Sequence, residues 1–248
     1  MPRGRSWSEM VNVSVGLLEA AIGKGFKAIK METLFYDLIT DRQWVDFIWQ
    51  CRRIVGEDCS LMTDVGYRWK NSKEALWALR RVEDAQLLFV ETPLHTDDLD
   101  GLARLADATT TPLAAGEFLQ TRHEFRELIE RGRCDVIQPD VGRVGGLTEA
   151  LRCARMASEK GLRCIPHAWK TGLTVAATLH FGAVAPNCPC VEFFDPAFFP
   201  SLLRSELVRP DAELRDGVLP VPTTPGLGVV LNEELVKSCL VEPITVVE

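Results

Sequence analysis

A TIM-type α/β barrel, with parallel strands each followed by a helix, is the fold this 248-residue sequence predicts. Three observations lead there. Short apolar runs alternate with polar segments that carry apolar residues at helical spacing, the pattern of strands and helices in turn and hence of a parallel sheet. The runs close on an acid or a histidine, Asp64, Glu91, Glu117, Asp140, His167 and Glu192, at intervals of 23 to 27 residues, the length of one βα unit. An open doubly wound sheet would show a glycine-rich phosphate loop after its first strand, whereas Val141-Gly-Arg-Val-Gly-Gly146 comes late and follows an acid.

Taken in order, the strands are expected at Lys27–Met31, Ser60–Asp64, Gln86–Glu91, Pro112–Glu117, Asp135–Asp140, Leu162–His167 and Pro189–Glu192. Arg122–Arg131 and Leu147–Lys160 read as helices, with Glu, Arg and Lys opposite their apolar faces. Before the first strand, Ser8–Lys24 predicts a helix capped by Ser8, with Val11, Val15, Leu18 and Ile22 on one face. The Val11-x-Val13-x-Val15 alternation offers a strand instead, but Leu17–Ala21 continues the helical pattern. Seven strands leave the barrel one short, at its start. Residues 193–248 read as a closing helix and an irregular tail, aromatic over Phe193–Pro200 and rich in Pro and Gly over Asp216–Gly228. The whole chain is expected to form one barrel domain.

Composition narrows the function. With 46% hydrophobic and 25% charged residues the chain is an ordinary globular one. A net charge of -7, with Lys and Arg scattered, argues against a nucleic-acid footprint and for a small-molecule partner. An acidic protein that takes an acidic substrate needs a local reversal of field, which a bound divalent cation supplies. The eight cysteines lack C-x-x-C spacing and several sit in apolar runs, as expected of free thiols in a reducing cytoplasm. Residues Met1 to Met10 contain no apolar signal core, and no stretch reaches the length of a membrane span.

Three carboxylates at successive strand ends, Asp64, Glu91 and Glu117, would repel one another unless a cation sat between them. Hard oxygen donors with water-filled positions suit Mg²⁺, with Mn²⁺ as a substitute, rather than zinc. For any one of them a helix N-cap is the competing reading. Lys30 and Glu32 are two apart on a strand and so share a face. Lys30 reads either as a buried base or as a salt-bridge partner of the acids. His167 reads as a general base, oriented by Asp140 at the end of the preceding strand.

Gly25-Phe-Lys-Ala-Ile-Lys30, Asp64, Val90-Glu-Thr-Pro93, Ala115-Gly-Glu117, Ile137-Gln-Pro-Asp140 with Gly145-Gly-Leu-Thr-Glu149, Pro166-His167, Val191-Glu192 and Pro225-Gly-Leu-Gly228 together resemble the mandelate racemase/muconate lactonising enzyme family of the enolase superfamily. The Asp140 and His167 pair is similar to the mandelate racemase branch. The resemblance implies an enolase-superfamily barrel in which Asp64, Glu91 and Glu117 hold Mg²⁺, Lys30 serves one face of the substrate, the His167–Asp140 dyad the other, and Glu192 hydrogen-bonds the enolate oxygen. It implies abstraction of the proton next to a carboxylate, and a homo-oligomer. It also implies an N-terminal capping domain and a first strand that this sequence does not contain. Two positions depart from the pattern. Glu32 stands where a second lysine is usual, which favours one-base dehydration of a sugar acid over two-base racemisation and makes Glu32 a candidate acid, base or hydroxyl contact. Gly66 stands where an asparagine commonly follows the first ligand. A racemase or epimerase of 2-hydroxy or amino acids, and a non-catalytic remnant that binds only metal or a partner chain, are the alternatives.

Overall fold

The computed structural model describes residues 6–34 and 38–241, so the basic residues 1–5 and the end of the expected tail, 242–248, lie outside the described residues. Helix α1 (Trp7–Gly23) comes first. Its cap is Ser6 rather than the expected Ser8. Ser6 Oγ accepts from Glu9 N (3.3 Å) while Glu9 Oε2 accepts from Ser6 N (2.7 Å), a reciprocal capping box. Ser8 has Val11 three residues on and cannot form one. The buried face is Met10, Ser14, Leu18 and Ala21, one residue round from the expected stripe, and Ile22 is exposed. The turn follows from packing against the next helix, where the Trp7 and Phe47 rings meet edge to face at 5.7 Å.

Six parallel strands pair in chain order: β1 (Ala28–Glu32), β2 (Ser60–Asp64), β3 (Val90–Glu91), β4 (Leu113–Ala115), β5 (Val136–Ile137) and β6 (Arg163–Cys164). Between them run α2 (Asp41–Val55), α3 (Ser72–Leu79), α4 (Leu99–Ala106), α5 (Arg122–Glu127) with a π-helical turn at Leu128–Gly132, and α6 (Leu147–Glu159), followed after β6 by α7 (Gly172–Val184). This is the α/β barrel wall the alternation predicts, open between β1 and β6. The seventh expected strand does not form: Pro189–Glu192 carries no ladder, and only Asn187 O reaches β6, accepting from Cys164 N (3.0 Å). Pro189 has no N–H to give, and among the described residues β1 pairs only with β2, so no far neighbour is seen for a strand here.

The segment nonetheless occupies a place in the wall. Met62, Phe89, Ala114, Val136 and Ile165, one from each of the β2 to β6 segments, form an inner apolar cluster, with Ala28 of β1 and Cys190 packed against it. Because side chains alternate across a strand, the residue two positions on faces the same interior one layer higher. That rule takes Ala28 to Lys30, Met62 to Asp64, Phe89 to Glu91, Val136 to Gln138, Ile165 to His167 and Cys190 to Glu192. The polar layer is thus set by the apolar one beneath it.

The outer faces of the strands pack on the helices in a larger core that includes Trp44, Phe47, Leu61, Leu105 and Phe125. Trp44 is fully buried, meets Trp69 edge to face at 5.4 Å, and donates from Nε1 to Thr33 Oγ1 (3.1 Å). Thr33 in turn bonds the main-chain oxygen of Asp64 through both N (2.8 Å) and Oγ1 (2.9 Å), so this core side chain braces the end of β2. Beyond residue 193 come a short helix α8 (Leu202–Ser205), a two-stranded antiparallel pair, β7 (Val208–Arg209) with β8 (Val230–Leu231), and α9 (Glu233–Cys239). No helix among the described residues is long and apolar enough to cross a membrane. Replacing Trp44 by Ala should lower the unfolding free energy by about 3–5 kcal/mol in urea denaturation, the range for deleting a large core aromatic. A loss under about 1 kcal/mol would mean that this corner of the core is not packed as described.

Candidate active site

Asp64, Glu91 and Glu117 converge as a buried group, each with an oxygen within 4.8 Å of the other two. Asp64 and Glu91 end β2 and β3. Glu117 lies two residues beyond β4 and three after inner-cluster Ala114, out of step with the alternation. Gly116 corrects the step. Its φ of +117° suits glycine, and a Cβ there would lie 2.7 Å from the ring of Phe125, so the chain kinks and turns Glu117 inward.

The donors around this group fix some oxygens and leave others open. Asp64 Oδ1 accepts from Gly66 N (2.8 Å) and Thr92 Oγ1 (2.9 Å), so a main-chain N–H at the left-handed Gly66 binds the first acid where the sequence pattern lacks an asparagine. Glu117 Oε1 accepts from Tyr67 Oη (3.1 Å). Glu91 Oε1 is buried with no hydrogen-bond partner among the described residues. An orphaned buried carboxylate oxygen beside two further acids is what a cation-binding site leaves when only protein atoms are counted. Burial first, then Asp64 and Glu192, pushes the Glu91 carboxyl up to about 7 against the pull of Lys30. Glu117 is raised too, by burial and then by Asp64. The all-oxygen donor set fits a hard divalent ion.

Lys30 is clamped. Its Nζ lies 2.6 Å from Glu91 Oε2 and 2.5 Å from Glu192 Oε1. Burial would lower its pKa, but Glu192, Glu91 and Asp64 outweigh burial and hold it well above that of an ordinary lysine. Glu192 also accepts from Ala168 N (2.6 Å) through Oε2; Lys30, His167 and that N–H keep it below the usual glutamate range despite burial. Of the two readings the sequence leaves for Lys30, this geometry favours the ion-pair partner.

On β6's side, His167 Nδ1 sits 2.8 Å from Asp140 Oδ2, and Nε2 lies 3.5 Å from Glu117 Oε2. Asp140 is held anionic: burial raises its pKa, but the His167 hydrogen bond and charge and the Gly142 N–H (2.8 Å) bring it below the ordinary value. An anionic Asp140 accepts from Nδ1–H, which leaves Nε2 facing the acids to exchange a proton. Burial lowers the imidazole pKa, and Asp140 and then Glu192 more than restore it. Glu32 shares the inner face with Lys30 and stands beside Asp64 in register. Burial, opposed by Lys30 and assisted by Asp64, Glu192 and Glu117, raises its carboxyl to about 7. All eight residues singled out from the sequence therefore lie in or beside one layer.

Three further residues contribute to the site, and nothing local in the sequence marks them. Tyr67 follows Asp64 by three residues with φ +64°, and Thr92, next to Glu91, sits at φ +46°. Both are non-glycine residues in the left-handed region, a cost of order 1–3 kcal/mol that persists where surrounding bonds fix the chain. Tyr67 N→Thr92 O (2.7 Å) and Thr92 N→Ala114 O (2.9 Å) are those bonds. Arg143 places Nε 3.4 Å from Asp140 Oδ2 and its guanidinium 4.5 Å from the centre of the Phe118 ring.

Residues 15–235 match the enolase C-terminal domain-like family. The chain belongs to that family. Among similar proteins, the arabinonate dehydratase of Saccharolobus solfataricus is 34% identical over 209 residues, covering 84% of this chain and 54% of the relative. The L-Ala-D/L-Glu epimerase of Bacillus subtilis is 30% identical over 215 residues, covering 86% and 57%. The crystal structure of L-talarate dehydratase from Polaromonas sp. JS666, complexed with Mg and L-glucarate, superposes with a TM-score of 0.79 at 30% identity over 92% of this chain and 59% of that one. This enolase C-terminal domain-like chain thus spans little more than half the length of these relatives.

One measurement isolates the dyad. In Asp140→Asn the burial of His167 persists while its anionic partner is lost, so the imidazole pKa, followed by NMR of the ring protons, should move from above 6.5 to below it. An unchanged pKa would mean that Asp140 does not set the basicity of His167.

Proposed function

We propose that the chain abstracts the proton next to the carboxylate of a sugar acid, with His167 Nε2 as base, and that loss of the β-hydroxyl as water follows, giving a 2-keto-3-deoxy acid. The observation that carries this reading is His167 itself, backed by Asp140 and turned toward the buried acids. A divalent cation, Mg²⁺ or Mn²⁺ in its place, held by Asp64, Glu91 and Glu117, would supply Lewis-acid stabilisation of the charge that grows on the substrate carboxylate. Glu192 is placed to hydrogen-bond that carboxylate, and Lys30 to offset the surrounding negative charge. The Asp140 carboxylate keeps the imidazole oriented and stabilises it once protonated. The departing hydroxyl needs a proton, which His167 can return, so one base serves both halves of an elimination. The dehydratases among the relatives support the sugar-acid class. Eight free cysteines, five of them buried, suit the reducing cytoplasm as its setting.

An epimerase is the second reading, favoured by the Bacillus relative and by a lysine and a histidine in the same layer. It predicts α-proton exchange with solvent deuterium and no elimination. A chain that only binds metal predicts neither.

Two outcomes are expected. With Mg²⁺ and an aldonic acid in D₂O, the chain should form 2-keto-3-deoxy product, and His167→Asn should reduce the rate about 10²–10⁴-fold, the usual worth of a positioned base, while Mg²⁺ affinity stays near that of the parent. Full activity in His167→Asn would remove the base assignment. Because Glu91 is raised to about 7 without metal and must be anionic to bind one, Mg²⁺ affinity by calorimetry should fall as pH drops below about 7, with proton release on binding. A pH-independent affinity between 6 and 8 would contradict the assignment of Glu91 as a ligand.

A further inference from the structure

We infer that Glu32 makes the β1 side of the site a wall for substrate hydroxyl groups, so that the chain selects polyhydroxy monocarboxylates over dicarboxylates. The inference rests on the sugar-acid reading above and narrows it; the relatives include both classes, an arabinonate dehydratase and an L-talarate/galactarate dehydratase.

Glu32 follows Lys30 on the inner face of β1 and faces the same cavity as Lys30 and Glu192. It is half-buried and, among the described residues, has neither hydrogen bond nor ion pair. Among the described residues the cation that acts on it is Lys30, and Glu91 and Glu192 already engage that ammonium at 2.6 and 2.5 Å. Asp64 stands beside Glu32 in register, and Glu192 and Glu117 also act on it electrostatically. A cation shared by Asp64, Glu91 and Glu117 would be taken up by those acids and by one substrate carboxylate. Among the described residues no unpaired cation is then seen beside Glu32 to balance a second.

Glu32 with a free carboxyl can still accept from hydroxyl groups, which a sugar acid has along its length. A second carboxylate set against Glu32 and Asp64 would instead meet like charge in a partly desolvated place, where repulsion is weakly screened. Of the other cations among the described residues near this cavity, Lys24, before β1, is taken by Asp195 at 2.5 Å. Arg143 is committed to Asp140 at 3.4 Å and to the Phe118 ring, and Lys170 is exposed.

The test uses the 248-residue chain loaded with Mg²⁺ at about pH 8.5, where carboxyl groups are ionised, titrated by calorimetry with D-galactonate and with galactarate, and followed in parallel for α-deuterium exchange. The parent should bind galactonate at least about tenfold more tightly, equivalent to one suppressed like-charge contact. Glu32→Gln, which keeps an acceptor and removes the charge, should bring the two acids to within about threefold, chiefly by tighter galactarate binding, and Glu32→Asp should restore the preference. Equal affinities in the parent, tighter galactarate, or a preference untouched by Glu32→Gln would overturn the inference. Should Glu32→Gln not fold, the parent's own ratio and that of Glu32→Asp still decide. A parent preference that Glu32→Gln abolishes, with no deuterium exchange, would support the wall and sink the proton-abstraction reading instead. Failure to bind either acid would overturn both.

Discussion

Mutual repulsion among buried carboxylates is the constraint around which this molecule is organised. Six acids, Glu32, Asp64, Glu91, Glu117, Asp140 and Glu192, lie in or beside a single layer above an apolar floor. Close protein cations are few: Lys30 answers Glu91 and Glu192, and His167 and Arg143 answer Asp140. Burial first, and then the neighbouring acids, raises the carboxyl pKa values of Glu32, Glu91 and Glu117, for Glu91 in spite of its ion pair with Lys30. A fold would not gather such charges for stability alone, since apolar side chains of the same volume would fill the layer at less cost. The arrangement makes physical sense as a receptacle for positive charge, and then for a substrate anion bound against it.

The strands make the gathering possible. Successive parallel strands bring residues some 25 positions apart into adjacency, and the two-residue repeat lifts each polar side chain above an apolar one. Where the repeat would aim the acid wrongly, Gly116 alters it. Where the strand itself is lost, at Pro189–Glu192, the Lys30 ion pair and the Ala168 N–H hold Glu192 in the layer without a ladder. Position in the site is therefore maintained by charge as well as by backbone pairing.

Much of this was legible in the sequence because alternation of apolar and polar residues is a local signal. The order of strands and helices, the spacing of Asp64, Glu91, Asp140 and His167, and the shared face of Lys30 and Glu32 all follow from local repeats. What was not legible depends on partners distant in sequence. The rotation of α1 is set by α2, and Ser6 wins the cap through Glu9's reach back to its N–H. The failure of the seventh strand goes with the lack, among the described residues, of a second neighbour for β1, which no pattern within Pro189–Glu192 records. Tyr67 and Thr92 reach the acids only because their backbones take left-handed conformations that their residue types do not advertise.

Lys30 separates the competing chemistries. Under the proposed proton abstraction, two bases would suit inversion at carbon, whereas a lysine fixed by two carboxylates and kept charged would leave His167 to act alone, as elimination allows. All of this presupposes that the three strand-end acids share one ion. Crystals of the chain grown with Mn²⁺ test that directly through anomalous scattering. A single peak about 2.0–2.4 Å from an oxygen of each of Asp64, Glu91 and Glu117 is the predicted result. Their side chains in separate surroundings, with no peak between them, would contradict it.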